Sequence, residues 1–164
     1  MATSSASPTI FDTTALQALT GARVAIIATE WNEAIVASQI KGALAILEQF
    51  DTIVTHNLRV PGAVELPFAC RAVGVLYDGA PEAIIAFGAV IRGGTPHFDY
   101  VCQSVTQGLT TLNVTLPVPV IFGVLTLDTE EQAWERLGGS HGHKGEEAAL
   151  AALKMIALRR ELAK

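Results

Sequence analysis

Residues suited to anion binding occur together in the stretch GAVIRGGTPHFDYV, residues 88–101. Arg92 supplies a local cation. Gly93 and Gly94 have no side chains, so the backbone can curl there and point successive N–H groups at one anion. Thr95 adds a hydroxyl group next to them. A strand-to-helix turn that simply needs glycine would explain the same residues, so both interpretations stay open.

His97 follows this candidate anion site, at or just before the start of a predicted helix. Imidazole is the side chain that accepts and donates protons near neutral pH. The start of the helix adds positive potential and unpaired N–H groups for an anion. We therefore predict that His97 carries protons, with an ordinary capping histidine as the alternative.

Three other residues could contact an organic ligand. Glu65 lies among apolar neighbours in PGAVELP and could accept hydrogen bonds from hydroxyl or amide groups, although a solvated glutamate at a helix start is equally compatible. Trp31 and Phe122 lie at or near the ends of predicted strands. Either ring could stack on a flat heterocycle or pack in the core.

Two further cations flank the glycine-rich segment GGSHGHKG, residues 138–145. Arg136 offers a forked donor for phosphate and Lys144 a point charge, while cations that complement a helix dipole are the alternative. His141 and His143 form an HxH pair without a nearby cysteine, which is a weak basis for a metal site. The sequence has neither GxGxxG nor a Walker loop.

Alternating strand and helix patterns position these residues. Strands are predicted at Arg23–Thr29, 52–60, Ala83–Ile91 and 118–126, and helices from residue 34, at 68–77, after residue 97, shortly after a cap at Asp128 or Thr129, and at 146–162. The third and fourth strands are apolar enough to be buried on both faces. This order predicts an α/β fold with a parallel sheet between helices, whose ligands bind beyond the carboxyl ends of the strands.

Length and composition indicate one domain that does not stand alone. The 164 residues favour a single domain at 21–164, preceded by a flexible arm at 1–20 that is rich in Ser, Thr and Ala. Hydrophobic residues make up 50% of the chain and charged residues only 16%. Because a small domain has much surface to hydrate, we expect another subunit to cover part of the apolar surface.

The charge pattern and the two cysteines exclude several classes of function. A net charge of -5 without a basic stripe argues against nucleic-acid binding, and no apolar run reaches the roughly 18 residues of a membrane span. The first residues lack the pattern of a signal peptide. Cys70 and Cys102 lie among apolar residues outside any CxxC pattern, so we expect reduced, buried thiols in a cytoplasmic protein.

Five segments, in this order and spacing, resemble the lumazine synthase family of riboflavin biosynthesis: EWN, VPGAVELPFA, FGAVIRGGTPHFDYVC, VPVIFGVLT and ERLGGSHGHKGEEAALAAL. The resemblance covers residues 23–160 and implies a flavodoxin-like three-layer αβα sandwich with one four-stranded parallel sheet. It also implies a homo-oligomer, a pentamer with active sites between neighbouring subunits. In many members twelve pentamers close into an icosahedral shell, and the short form of segment 138–145 favours that sixty-subunit assembly.

The implied reaction joins 5-amino-6-(D-ribitylamino)uracil to 3,4-dihydroxy-2-butanone 4-phosphate. An amine attacks the ketone to give an imine, phosphate leaves, and the ring closes with loss of water. The family needs no metal or redox cofactor and passes its product to riboflavin synthase. The expected partners are therefore small-molecule substrates and copies of the same chain, with neither nucleic acid nor membrane.

The resemblance also assigns roles to residues of this sequence. His97 would shuttle protons. The pyrimidine and its ribityl chain would contact Trp31, Ala63, Val64, Glu65, Ala89, Val90, Ile91 and Phe122. Phosphate would be bound by Gly94, Thr95, Arg136 and Lys144. Phe122 and Arg136 would come from the adjacent subunit.

Three other functions stay open at this point. An archaeal-type riboflavin synthase shares the fold and the pentamer, although the segment GGTPH favours lumazine synthase. A flavin-binding or shell-forming protein without turnover is the second alternative. A flavodoxin-type electron carrier is the third, but its Ser/Thr-rich phosphate loop is missing directly after the first strand.

Overall fold

Four parallel strands in the order β2-β1-β3-β4 form the central sheet of the computed structural model, which describes residues 13–76 and 80–164. The strands are β1 (Arg23–Thr29), β2 (Ile53–Val60), β3 (Ala83–Ile91) and β4 (Val120–Leu127). The helices are α1 (Glu33–Gln49), α2 (Leu66–Leu76), α3 (His97–Thr115), α4 (Glu131–Trp134) and α5 (Lys144–Leu162).

The helices cover both faces of this sheet. Successive residues of a strand point to opposite faces, so Val24 and Ile26 of β1 pack in one core with α1 and α5. Ala25 and Ile27 of the same strand pack in the other core with α2 and α3. The predicted α/β three-layer sandwich with a four-stranded parallel sheet is therefore confirmed.

The central and edge strands differ in burial. The first seven residues of β3 are buried, which confirms the prediction of a strand covered on both faces. The fourth strand was predicted to be buried too, but β4 is an edge strand on which Phe122 and Thr126 are exposed. An apolar run shows that a strand is hydrophobic and does not show how many strands flank it.

Most helix boundaries lie within two residues of the prediction, and the exceptions have local causes. The cap predicted at Asp128 or Thr129 is absent, since Glu130 is the N-cap of α4 and makes no side-chain capping bond. Asp128 binds an arginine instead. Segment 138–145, predicted as an interruption, overlaps a small hairpin of β5 (Leu137–Gly139) and β6 (Gly142–His143). Tyr77, the predicted end of the second helix, lies outside the described residues.

The predicted N-terminal arm is only partly described. Residues 1–12 lie outside the described part of the chain, whereas Thr14–Leu19 form a short 3₁₀ helix. Leu16 and Leu19 of this helix are buried in the core shared with α1 and α5. The end of the segment thus belongs to the folded domain, because two leucines three residues apart give one apolar face that composition alone does not reveal.

An ion pair ties the last helix to the amino-terminal ends of two strands. Arg160 of α5 donates from Nε and Nη2 to Glu82, just before β3, at 2.8 and 2.9 Å. Glu82 Oε2 also accepts the backbone N–H of Arg23 at 3.0 Å. The hydrogen bond from Arg160 is the main reason why the pKa of the Glu82 carboxyl lies below its ordinary value.

Both cysteines are free thiols, as predicted, but only one is fully buried. Burial raises the pKa of Cys70 to about 12, so this thiol stays protonated. Cys102 is half-buried. Among the helices of residues 13–76 and 80–164, none combines the length and the apolar character needed to cross a membrane.

Candidate functional site

A cleft of about 420 Å³ opens at the carboxyl ends of β1, β2 and β3. This strand-end cleft is lined by Thr29, Trp31, Asn32, Gly62, Ala63, Val64, Glu65, Ala89, Val90, Ile91, His97 and Val101. Eight of the predicted site residues are among them: Trp31, Ala63, Val64, Glu65, Ala89, Val90, Ile91 and His97. Parallel strands bring these segments together because all their carboxyl ends lie at one edge of the sheet.

Trp31 presents its ring at the mouth of this cleft. The residue is 73% exposed, so the alternative of core packing is wrong. The backbone beneath the ring is held by hydrogen bonds from Glu30 N to Val60 O at 2.8 Å and from Trp31 N to Pro61 O at 3.4 Å. An exposed aromatic ring on a fixed backbone is suited to stacking on a planar ligand.

Asn32, which the sequence places directly after the first strand without indicating a contact for it, also lines the cleft. Its backbone is left-handed, with φ at 57°, and its Nδ2 donates to the carbonyl oxygen of Ala89 at 2.8 Å. The side chain thereby fastens the loop after β1 to the end of β3. The available signal was an Asn between a strand and a helix, since Asn enters the left-handed region more readily than most residues.

Glu65 is oriented by its own turn. Residues Ala63–Glu65 form a 3₁₀ helix that leads into α2, and Glu65 Oε2 accepts the backbone N–H of Gly62 at 2.9 Å. A Cβ at Gly62 would lie 3.3 Å from that oxygen and 3.7 Å from the Trp31 ring. A side chain at this position would therefore crowd the carboxylate and contact the indole.

Loop 92–96 joins β3 to α3 but does not form the anion-binding nest that the sequence predicts. Neither Gly93 nor Gly94 has a positive φ, and a Cβ added at either would meet nothing within 4 Å. The alternation of right- and left-handed residues that forms an anion nest is thus absent. A turn that requires glycine is also excluded, because neither residue has a positive φ. The space beside both glycines is open, and the neighbouring Thr95 is exposed.

His97 is the first residue of α3, and Pro96 is the N-cap, so the alternative of a capping histidine is wrong. The imidazole is exposed, lines the strand-end cleft and makes no side-chain hydrogen bond with any residue of 13–76 or 80–164. Both ring nitrogens are therefore available to a ligand in the cleft.

Arg92 is not the unpaired cation that the sequence suggested. Its Nε donates to Asp128 Oδ1 at 2.8 Å, and its Nη1 donates to Asp99 Oδ1 at 3.3 Å. The guanidinium carbon also lies 4.1 Å from the centroid of the Phe98 ring. Its hydrogen bond to Asp128 is the first cause of a raised pKa for Arg92.

A second depression of about 550 Å³, the β4–α5 groove, lies along the edge strand. It is lined by Ile121, Phe122, Gly123, Val124, Leu125, Lys144, Glu147, Ala148, Ala151, Lys154 and Met155. Phe122 is 43% exposed there, so core packing is wrong for this ring as well. The predicted residues Phe122 and Lys144 thus share a surface separate from the strand-end cleft.

Lys144 is the first residue of α5. The N-terminus of a helix carries a positive partial charge, which a cation does not complement, so the alternative based on the helix dipole is wrong for Lys144. Its Nζ donates to both carboxylate oxygens of Glu147, at 2.9 and 2.7 Å. Glu147 was missed by sequence reasoning, although its spacing of three residues from Lys144 on a helix was a usable signal.

Arg136 lies just beyond α4. Its Nη1 donates to the carbonyl oxygen of Gln132 at 2.9 Å, which agrees with the alternative of a cation at a helix end. The backbone N–H of Lys144 donates to Arg136 O at 2.8 Å, so these two predicted phosphate ligands are neighbours across the small hairpin. Neither lines the strand-end cleft.

Other parts of the described structure offer neither a metal site nor a second cluster of the predicted residues. Within the described residues, no three His, Cys, Asp or Glu side chains are grouped as metal ligands, and His141 and His143 belong to no such group. A groove of about 590 Å³ over α1 and β2 contains none of the predicted residues.

Comparison with known proteins identifies relatives of this chain. Residues 21–160 match the family 6,7-dimethyl-8-ribityllumazine synthase. A protein of that name from Streptomyces avermitilis is 51% identical over 142 residues, which cover 85% of this chain and 86% of the relative. Another from Porphyromonas gingivalis is 48% identical over 146 residues, with 84% and 86% covered. One from Bdellovibrio bacteriovorus is 44% identical over 140 residues, with 85% and 76% covered.

Proposed function

The chain belongs to the 6,7-dimethyl-8-ribityllumazine synthase family, and we propose that it condenses 5-amino-6-(D-ribitylamino)uracil with 3,4-dihydroxy-2-butanone 4-phosphate and releases phosphate. It is a transferase of riboflavin biosynthesis that acts on small molecules. The observation that carries this function at the level of the site is that His97, Trp31 and Glu65 line one cleft.

The strand-end cleft suits the pyrimidine substrate. The exposed ring of Trp31 would stack on the heterocycle. Backbone groups of Ala89, Val90 and Ile91, at the end of β3, would pair with the polar edge of the uracil. Glu65, whose orientation is set by the N–H of Gly62, would accept hydrogen bonds from ribityl hydroxyls beside Ala63 and Val64.

His97 would move the protons. Imine formation needs a proton delivered to the departing hydroxyl group, which leaves as water, and elimination of phosphate needs a proton removed from carbon. An imidazole with both nitrogens open to the cleft can do both in turn. Holding the two substrates side by side would supply a further large part of the acceleration.

The phosphate would lie beside Gly94 and Thr95, with its charge neutralised by Arg136 and Lys144 of a neighbouring copy. Two features support this division. Arg92 is paired with two carboxylates, whereas Arg136 and Lys144 are each paired with one, and these two cations lie away from the strand-end cleft of their own chain. Phe122 of that neighbour would close the heterocycle pocket, so that a complete site needs two copies.

We further propose that the copies form pentamers and that twelve pentamers form the shell. Sedimentation velocity on the purified protein separates a pentamer from a sixty-subunit particle directly. A monomer with full activity would contradict both the assembly and the shared site.

Activity is tested by incubating the protein with both substrates while lumazine absorbance and released phosphate are recorded. We expect the two products to appear together in equal amounts. Consumption of lumazine to give riboflavin would point to riboflavin synthase. Tight flavin binding without either product would point to a non-catalytic binding protein.

A further inference from the structure

We propose that Arg92 is a positioning residue whose side chain fixes the start of α3, and with it His97 and Thr95, relative to the end of β4. Its effect on turnover rests on the proposed function. Its effect on the motion of the loop does not.

The side chain of Arg92 connects three elements. The residue itself follows β3, and its Nε bonds to Asp128, which follows β4, at 2.8 Å. Its Nη1 bonds to Asp99 in the first turn of α3 at 3.3 Å, while the guanidinium lies over the ring of Phe98 in the same turn. A planar fork stacked on a ring has few alternative orientations, so the contact sets direction as well as distance.

The loop between these anchors has few contacts of its own. A Cβ added to Gly93 or Gly94 would meet no atom within 4 Å, and Thr95 and Pro96 are exposed. The backbone is held at one end by Arg92 N to Leu127 O at 2.8 Å and at the other by Asp99 N to Pro96 O at 3.0 Å. Among the described residues, the Arg92 side chain alone bridges both ends, and His97 lies between Pro96 and Phe98.

Charge argues against a direct role of Arg92 as the phosphate ligand. One guanidinium and the carboxylates of Asp99 and Asp128 together carry a net charge of about -1. A group whose charge is already neutralised by two neighbours attracts a phosphate weakly. The same contacts serve well to align the imidazole, because a misplacement of about 1 Å can slow catalysis by up to about a hundredfold.

The test compares kcat and KM of Arg92→Met and Arg92→Lys with those of the wild type. We expect kcat to fall about tenfold in Arg92→Met because His97 is misaligned, while KM for the phosphate substrate stays near its original value. Arg92→Lys can keep one ion pair but lacks the planar guanidinium, so its kcat should lie between those of the wild type and Arg92→Met. A raised KM with unchanged kcat would make Arg92 a phosphate ligand and overturn the proposal.

Arg160→Met is the matched control. Arg160 likewise makes two side-chain hydrogen bonds, both to the carboxylate of Glu82 at the opposite ends of the strands. It should lower the melting temperature and leave kcat unchanged. If it slows turnover as much as Arg92→Met does, the loss reflects general stability and the proposal fails.

A charge-balanced variant separates alignment from electrostatics. Arg92→Met alone leaves the carboxylates of Asp99 and Asp128 without their partner. Adding Asp99→Asn and Asp128→Asn removes these two negative charges as well. We expect turnover to stay slow. Recovery of the wild-type rate would show that the arginine only neutralises the two acids, which would contradict a positioning role.

Amide hydrogen exchange tests the geometry without substrate. Arg92→Met should raise exchange about tenfold or more at the amides of residues 92 and 99, which donate to Leu127 O and Pro96 O in the wild type, whereas Arg160→Met should leave both unchanged. Unchanged exchange in Arg92→Met would refute the positioning role of Arg92, whether or not the enzyme is active. If the wild type makes no lumazine but the exchange pattern appears, the proposed function fails and the structural role of Arg92 stands.

Discussion

At the scale of single residues, the strand-end cleft contains two titratable side chains, Glu65 and His97. Glu65 already accepts a backbone N–H from its own turn, so one of its oxygens is engaged within the protein. His97 has no such partner among the described residues. It is therefore the better candidate for moving protons in both directions.

Substitution of His97 tests this assignment. We expect His97→Ala to reduce kcat at least tens-fold and up to the roughly 10²–10⁴-fold of general acid–base catalysis. Turnover should not be abolished, because substrate alignment persists. Steady-state kinetics over a range of pH is the measurement. His56→Gln, on the edge strand β2, is the matched control, and a His97→Ala enzyme with the wild-type rate at every pH would exclude the role.

At the scale of elements, the contact of α1 with α5 depends on a residue without a side chain. A Cβ at Gly145 would overlap the backbone carbonyl of Gln39, which cannot move without shifting α1. We expect Gly145→Ala to lower the free energy of unfolding by about 1–3 kcal/mol, as overpacking does. Urea denaturation measures the loss. Gly94→Ala, whose Cβ would meet nothing, should leave the midpoint unchanged, and equal losses in the two variants would contradict this interpretation.

The tie between Glu82 and Arg160 predicts a dependence of stability on acid. Because the pKa of Glu82 is lowered in the folded protein, the pair stabilises fully above the ordinary carboxyl value of 4.5 and loses its effect as the pH falls through the lowered pKa. The contribution of a partly exposed pair is about 1 kcal/mol.

Glu82→Gln should therefore be less stable than the wild type at neutral pH and should approach it in acid. Thermal melts between neutral and strongly acidic pH measure the difference. Glu161→Gln removes a pair that is largely exposed on both sides and should show no such convergence. A constant gap between wild type and Glu82→Gln at every pH would refute the linkage.

At the scale of the whole molecule, the predicted site residues divide between two surfaces of one chain. His97 lines the strand-end cleft, whereas Phe122 and Lys144 line the β4–α5 groove. If a neighbouring copy completes each site, two differently damaged subunits can restore one another. A site within one chain could not be restored in this way.

Mixed assemblies test that consequence. His97→Ala and Arg136→Met subunits, each slow alone, are unfolded together and reassembled in equal amounts. Roughly a quarter of the sites should then combine an intact His97 with an intact Arg136 from the neighbour. Turnover should rise well above the mean of the separate variants. Strictly additive activity would place both residues in the same subunit's site.

The sequence by itself determined the layers of the fold and the place of the strand-end cleft. Apolar runs of strand length alternate with helical patterns, which requires a parallel sheet between helices, and the ends of its strands bring Trp31, Glu65 and His97 together. These features depend on local periodicity and on chain connectivity, and both can be read from the order of residues.

Only the tertiary structure decided which side chains are free and which are paired. The charge of Arg92 is neutralised by Asp99 and by Asp128, the latter 36 residues away, and the exposure of Phe122 depends on β4 lying at an edge of the sheet. Asn32 donates to Ala89 of the neighbouring strand, 57 residues further along the chain. Such pairings depend on distances between segments far apart in the chain, which no local pattern encodes.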